Sequence, residues 1–281
     1  MLTKHLFKGL LLLSLVYLPA ANASNRYYAD NALEPTEGFA WDWSLGLGYY
    51  VADTYLAGVD PYNDGIEFNI NLAMSYDKFY FDADNSQLSG NFTIGYSLIN
   101  KYEWDLDIIG TNVQDGFDQY GTYYNEDSIV EELAGIKVRE YDFDVGLRLT
   151  RRLNESQFSL EILKDISGSH SGIIVNSFVS HIQTYRNWEF RAGVGLNYYS
   201  SDFVDYYFGI SADEAINGRP IYVGSSGVNV LTEFHAEYPI NENWVFLAGW
   251  LSTWFSQSIN DSPIVSQDYQ HKAKVGVRYV F

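Results

Sequence analysis

The sequence predicts an all-β protein: a transmembrane antiparallel up-and-down barrel of about twelve strands, with long outer loops and short periplasmic turns. Three observations carry that expectation. Residues 273–281 alternate strictly, with Ala273, Val275, Val277, Tyr279 and Phe281 on one face and Lys274, Gly276 and Arg278 on the other. An exposed aromatic strand of this kind invites edge-to-edge aggregation in an open sheet. It makes sense where the strand closes a barrel and its apolar face meets lipid. Several other segments alternate for about ten residues, enough to cross a tilted barrel wall, against about five or six for a sandwich strand. The 24 tyrosines and 7 tryptophans suit two aromatic girdles at membrane interfaces. Beyond the N-terminal segment no run of about 18 apolar residues occurs, so spanning by helices is excluded.

Taken in order, the chain opens on Lys4 and Lys8, then an apolar run from Leu10 to Leu18 that is too short to span a bilayer. Ala21-Asn22-Ala23 follows as a small-x-small site before Ser24, so residues 1–23 read as a secretory signal. Residues 24–39 are then a periplasmic N-terminal segment and 40–281 the barrel. With no cysteine, the exported chain has neither a disulfide framework nor a thiolate metal site.

The barrel strands follow from period-two alternation. Residues 41–49 and 66–76 set Trp, Leu, Ile and Phe against Asp42, Glu67, Asn and small residues. Residues 79–83, 88–98 and 102–108 continue the pattern, the last with Asp105 and Asp107 on its polar face. Residues 141–149 oppose Tyr, Phe, Val and Leu to Asp142, Asp144 and Arg148. Residues 158–162, 173–184, 188–198, 228–238, 244–254 and 273–281 complete an even count, as a single-chain bacterial barrel requires. Short links at 77–78, 100–101, 150–156, 185–187 and 239–243 alternate with long ones at 51–65, 110–135, 165–172, 199–227 and 255–271. The link at 84–87 is the one short exception. That alternation is the pattern of outer-membrane barrels and places both termini in the periplasm.

Charge sorts by side. Lys78, Lys101, Arg151, Arg152 and Arg186 fall in the short turns, whereas one long loop carries Asp115, Asp118, Glu126, Asp127, Glu131 and Glu132. The net charge is −19, and removing Lys4 and Lys8 with the signal leaves −21. Nucleic acid is therefore no partner, because phosphate contacts need a basic surface. The acidic loops read as solvated surface, or as a field that concentrates cations and bridges divalent ions to lipopolysaccharide. On the strands, Asp42, Glu67, Asp105, Asp107, Asp142, Asp144, Arg148, Glu189, Arg191, Glu233, Lys274 and Arg278 should face the lumen. A lipid-facing Arg or Lys near the midplane costs about 2–4 kcal/mol, which fixes each strand's phase. These charges either pair and plug the lumen or line a narrow cation-preferring pore.

No catalytic or metal-binding constellation stands out, and no cofactor is expected. His170, His181, His235 and His271 are scattered, without the HxxxH spacing of a metal site. Gly168-Ser-His-Ser-Gly172 reads as a flexible loop tip with no oriented base. Ser211-x-x-Glu214 has the capping-box pattern and Gly218 with Pro220 the stop signal, which predicts a short helix of about two turns over the barrel mouth.

Tyr206-Tyr-Phe-Gly209-Ile-Ser211, then Glu214-Ala215, Arg219-Pro220, Tyr222 and Gly227, resemble the signature of the MipA/OmpV family, the MltA-interacting outer-membrane proteins. Leu45-Gly-Leu-Gly48, Tyr55-Leu-Ala-Gly58, Tyr238 to Trp244, Asp261 to Val265 and the last strand fit as well. The terminal Tyr279 and Phe281 resemble the insertion signal read by the barrel assembly machinery. The resemblance implies a non-enzymatic barrel in the outer membrane of a Gram-negative bacterium. It further implies a scaffold joining a lytic transglycosylase to a murein synthase, met through the turns near Arg151 and Arg152 or through residues 25–38. Relatives described as pores, adhesins or surface antigens leave two alternatives open: a narrow cation-preferring pore, or an adhesin acting through the acidic Tyr-rich loops.

Overall fold

The computed structural model describes residues 38–60, 62–84, 88, 92–122 and 128–281. The expected secretory signal, its expected cleavage site at Ala21, Ala23 and Ser24, and nearly all of segment 24–39 lie outside these residues. The strands are β1 (Phe39–Asp53), β2 (Tyr62–Tyr76), β3 (Phe79–Asp84), β4 (Phe92–Lys101) and β5 (Trp104–Thr111). A two-stranded hairpin of β6 (Phe117–Asp118) and β7 (Gly121–Thr122) follows, then β8 (Asp144–Leu153), β9 (Ser156–Asp165), β10 (Ile173–Tyr185) and β11 (Trp188–Tyr199). The set ends with β12 (Gly227–Pro239), β13 (Trp244–Trp254) and β14 (Tyr269–Val280).

All of them except β6 and β7 form one closed barrel of twelve strands, each paired antiparallel with its neighbours in chain order. β1 and β14 close it in register from Ser44↔Val280 to Ala52↔Lys272, so no edge strand is left to aggregate. Alternation had located the strands, and most run a few residues further than the apolar pattern does. The strand expected at 141–149 starts later, at Asp144, because Asp142 is drawn aside into the loop by the amides of Val113 and Gln114. The strand expected from Leu88 begins at Phe92.

The two ends of the barrel differ. At the turn end, the chain reverses within two to four residues, and Asp77, Tyr102, Glu103, Asn154 and Arg186 take left-handed backbone angles. Tyr102 and Glu103, at φ 54° and 66°, make the paired positive-φ turn that matches strand twist. Aromatic rings collect outside this end: Phe281 stacks on Trp43 at 3.7 Å, and Tyr279 meets Trp244 at 5.2 Å. Outside the wall, Ile66, Phe68, Ile70, Val179 and Val194 are exposed, as suits a lipid-facing surface.

Inside, the wall is polar and close-packed. Gly146 faces the lumen on β8, and a Cβ there would lie 1.8 Å from the carbonyl oxygen of Ile162 on β9. The obstacle is backbone and cannot rotate away. Gly146→Ala should therefore destabilise the barrel by about 3 kcal/mol, at or above the usual overpacking cost. The urea midpoint of the refolded protein in micelles checks it, against Ser159→Ala on the neighbouring strand.

At the opposite, loop end, the connections fold onto one another as a cap. Helix α1 (Ser201–Phe208) and the short α2 (Gln257–Asn260) lie there, with a 3₁₀ turn at Glu131–Leu133. Leu56, Phe117, Leu133, Phe203, Tyr207, Ile259 and Ile264, drawn from four connections, are essentially inaccessible to solvent. They join Ile109, Leu163, Ile174 and Tyr199 from the upper wall in a single apolar cluster. Loop residues of an open pore would be solvated instead.

Candidate functional site: the loop cap and the charged lumen

The cap is organised by α1. Its buried residues, Phe203, Val204, Tyr207 and Phe208, fall on one face at the i, i+4 spacing of a helix. The helix lies before Ser211 and not after it, which corrects the sequence expectation. Ser211 to Ala215 makes a single turn, with the amides of Glu214 and Ala215 both donating to the Ser211 carbonyl at 3.1 Å. The capping contact does form, since the Ser211 amide donates to Glu214 Oε2 at 3.0 Å. The chain then returns as a hairpin, because Ile210 and Tyr222 exchange backbone bonds of 2.8 and 3.0 Å.

Side chains from distant loops hold that turn in place. Arg139 reaches Glu214 Oε1 at 3.0 Å and donates to the Gly209 carbonyl at 2.8 Å, with both ionic groups buried. The Lys137 amide adds a bond of 2.8 Å to the same carboxylate. Burial alone would raise the Glu214 carboxyl. The bonds from Ser211, the Lys137 and Ser211 amides and Arg139 outweigh it and bring it down to about 2. Arg219 donates to the carbonyls of Glu132 at 2.6 Å, and of Ala134 and Glu214 at 2.7 Å each. Tyr206 accepts from the Glu140 amide, Tyr207 donates to the Glu140 carbonyl, and Tyr222 donates to Ser258. Gly209 packs where a Cβ would lie 2.2 Å from the Asp205 carbonyl, and Pro220 is exposed. These residues stitch the acidic loop to the α1 loop.

Below the cap, charges of the inner wall meet in pairs. Arg148 and Glu161, directly opposed on β8 and β9, are 2.6 Å apart, and Asn176 also donates to Glu161. Arg152 turns inward to Asp105 at 2.8 Å, and Tyr80 donates to Asp107. Glu189 and Glu237 oppose each other, a repulsive placement relieved by Arg191 on Glu189 and by Arg278 on Glu237 at 2.6 Å. Lys274 bridges Glu67 at 2.7 Å and Asn69 at 3.1 Å. Glu233 holds His235, and Asp42 lies half-buried on the inward face of β1.

One group escaped the sequence reading. His170, expected at a flexible tip, is 3 % exposed and lies under the cap against Phe203 and Tyr207, with ring centroids 4.9 and 5.9 Å away. Asp165 accepts from the amides of Ser167 and Ser171, which folds the loop back and turns the imidazole inward. Its Nε2 lies 3.4 Å from Asp144 Oδ1 and 3.6 Å from Asp142 Oδ2. Burial first, then the Asp144 charge, lifts the Asp142 carboxyl to about 6 against the amides of Val113 and Gln114 and against His170. Alternation had placed both aspartates on the lumen face. It had no means of showing that a histidine from the next loop would join them.

Comparison with known proteins agrees with the architecture. The family described as MltA-interacting protein MipA matches residues 45–281. The chain is 27 % identical to outer membrane protein OmpV of Vibrio cholerae over 261 residues, covering 93 % of this chain and 94 % of that protein. It is 26 % identical to outer membrane protein Omp26La of Vibrio anguillarum over 57 % of this chain, a match that spans only 62 % of that relative's length. Among solved structures, it is similar to Pseudomonas putida OprB, with TM-score 0.42, 6 % identity, and coverage of 87 % and 94 % of the two chains. At that level of likeness the fold rests on this chain's own strand pairing. With a family match across most of its length and a closed twelve-stranded barrel, the chain belongs to the MltA-interacting protein MipA family and is an outer-membrane β-barrel protein.

Proposed function

We propose that this barrel is a closed, non-enzymatic platform that brings a lytic transglycosylase and a murein synthase together at the periplasmic face, and not a channel. The supporting observation is the buried apolar cluster of the cap at the loop end, below which acidic and basic wall residues meet in pairs. An open cation pore would need solvated loops over its mouth. The family name supplies the partner class, since it describes an MltA-interacting protein.

In this reading the turn end and both termini face the periplasm, and the capped loops face outward toward lipopolysaccharide. The turn end then offers cations supported by rings: Lys101 over Tyr102 at 4.7 Å, Arg151 over Trp104 at 4.9 Å and Arg186 over Tyr185 at 5.4 Å. Arg152 is engaged inside by Asp105, so Arg151 is the member of that pair left for a partner. The turns are small against an interface of about 800 Å² per partner, so the proposed contact includes residues 25–38 as well.

The test pairs planar-bilayer conductance with capture of a purified MltA-type lytic transglycosylase by the mature barrel. Silence in the bilayer with saturable capture, weakened by Arg151→Glu and by deletion of residues 24–37, is expected. Reproducible cation-selective steps without capture would replace the platform by the pore.

A further inference from the structure

We infer that Asp142, Asp144 and His170 form a binding site for one divalent first-row metal ion of the Zn²⁺ or Mn²⁺ class, set beneath the cap. One ligand atom from each residue lies within 4.8 Å of the others, and all three residues are buried. The distances from Nε2 to the two carboxylate oxygens, 3.4 and 3.6 Å, are too long for strong hydrogen bonds. They match the edges of a coordination tetrahedron, because donors about 2.1 Å from a central ion lie about 3.4 Å apart.

A second, independent observation is the state of Asp144. Its carboxylate is fully inaccessible, and neither oxygen has a hydrogen-bond partner; His170 Nε2 also lacks one. Among the described residues no lysine or arginine nitrogen comes within ion-pair distance of Asp142 or Asp144, unlike the paired carboxylates lower in the lumen. A buried carboxylate with no hydrogen bond and no lysine or arginine beside it is costly, and a shared cation satisfies all three groups at once. One imidazole with two carboxylates suits Zn²⁺ or Mn²⁺ over the soft ions that select sulfur.

The ring sits at the site in its metal-free tautomer. Gly172 donates to Nδ1 at 2.9 Å, and Phe203 of α1 stands edge-on against the imidazole. Ligation through Nε2 requires the tautomer with its proton on Nδ1, so loading gives up the Gly172 bond for a ligand bond. The ion would join the acidic loop (Asp142), the barrel wall (Asp144) and the following loop (His170) directly under α1. Binding should therefore stabilise the cap as well as occupy the site.

The experiment uses tag-free mature protein, refolded in micelles, stripped with chelator and re-dialysed against ZnCl₂ or MnCl₂ alone. Elemental analysis of the folded, heat-modifiable fraction should find one ion per chain, with a melting temperature above that of the stripped protein. Asp144→Asn and His170→Gln should each weaken binding by at least about tenfold and remove the thermal shift. His181→Ala, at an exposed histidine away from the site, should leave both unchanged. Folded wild-type protein that retains no ion would overturn the proposal, and this outcome needs no variant to fold. So would an Asp144→Asn protein that binds the ion as wild type does, or one that keeps the wild-type rise in melting temperature on loading.

Discussion

Glu214→Ala should unlatch the cap while leaving the barrel closed. The substitution strands the Arg139 guanidinium in a site where it is 6 % exposed, and breaking a buried pair from one side costs about 3–5 kcal/mol. That loss falls on the loops, because among the described residues the Glu214 carboxylate bonds to groups of the cap: Arg139, the Lys137 amide and Ser211. Hydrogen exchange should speed up in residues 128–142 and 199–224, and the amides of β9 and β10 should remain protected. Acid should act in the same way. The folded carboxyl sits near 2, below its unfolded value of 4.5, so its contribution is complete above about pH 4.5 and is lost as pH falls toward 2. Glu214→Gln should flatten that acid transition. Uniform exchange across loops and wall would show instead that cap and barrel unfold as one unit.

The barrel was legible in the sequence and the cap was not, and one physical reason covers both. A wall strand has lipid on one side and the lumen on the other, so its residues must alternate, and the period runs through the wall from Trp41 to Phe281 with a break at the register shift between Ser97 and Ile99. Strand ends were less visible, since residues such as Tyr62 to Gly65 and Tyr269 to Lys272 pair beyond the lipid zone, where the apolar requirement lapses. The cap has no period. Leu56, Phe117, Leu133 and Ile264 stand singly in polar loops, and their partners lie tens to hundreds of residues away. Arg139 and Gly209 meet across 70 positions, and Gln270 and Asp53 across 217. The signature residues Tyr206 to Tyr222 were noticed through resemblance, but their work of holding the acidic loop appears only in three dimensions. The helix was displaced for a related reason. Ser211 and Glu214 do carry a capping signal, yet Arg139 and the hairpin bonds of Ile210 with Tyr222 leave room for one turn. Helix-forming apolar spacing lies just upstream, at Phe203, Val204, Tyr207 and Phe208.

The lumen pair Arg148–Glu161 should show the opposite signature, a global loss. The two side chains oppose each other on adjacent strands at 2.6 Å and are 5 % and 2 % exposed, so neither can be solvated once its partner is removed. Arg148→Met should cost about 3–5 kcal/mol in unfolding free energy, measured by urea denaturation in micelles. Glu161→Leu alone should cost a similar amount, by leaving the guanidinium behind. The double variant is the informative one. Replacing a buried pair by apolar side chains of like volume is often close to neutral, so stability should return to within about 1–2 kcal/mol of wild type. The coupling energy from the cycle would then isolate the pair from its neighbours, Asn176 among them. Conductance of the same proteins separates two roles for the charges. If they only fill the lumen, the double variant stays silent in a bilayer. If they guard a water path, removing both opens measurable current, and the capped end would then have to be permeable to ions. Singly destabilised but doubly rescued and silent is the result that a closed platform requires.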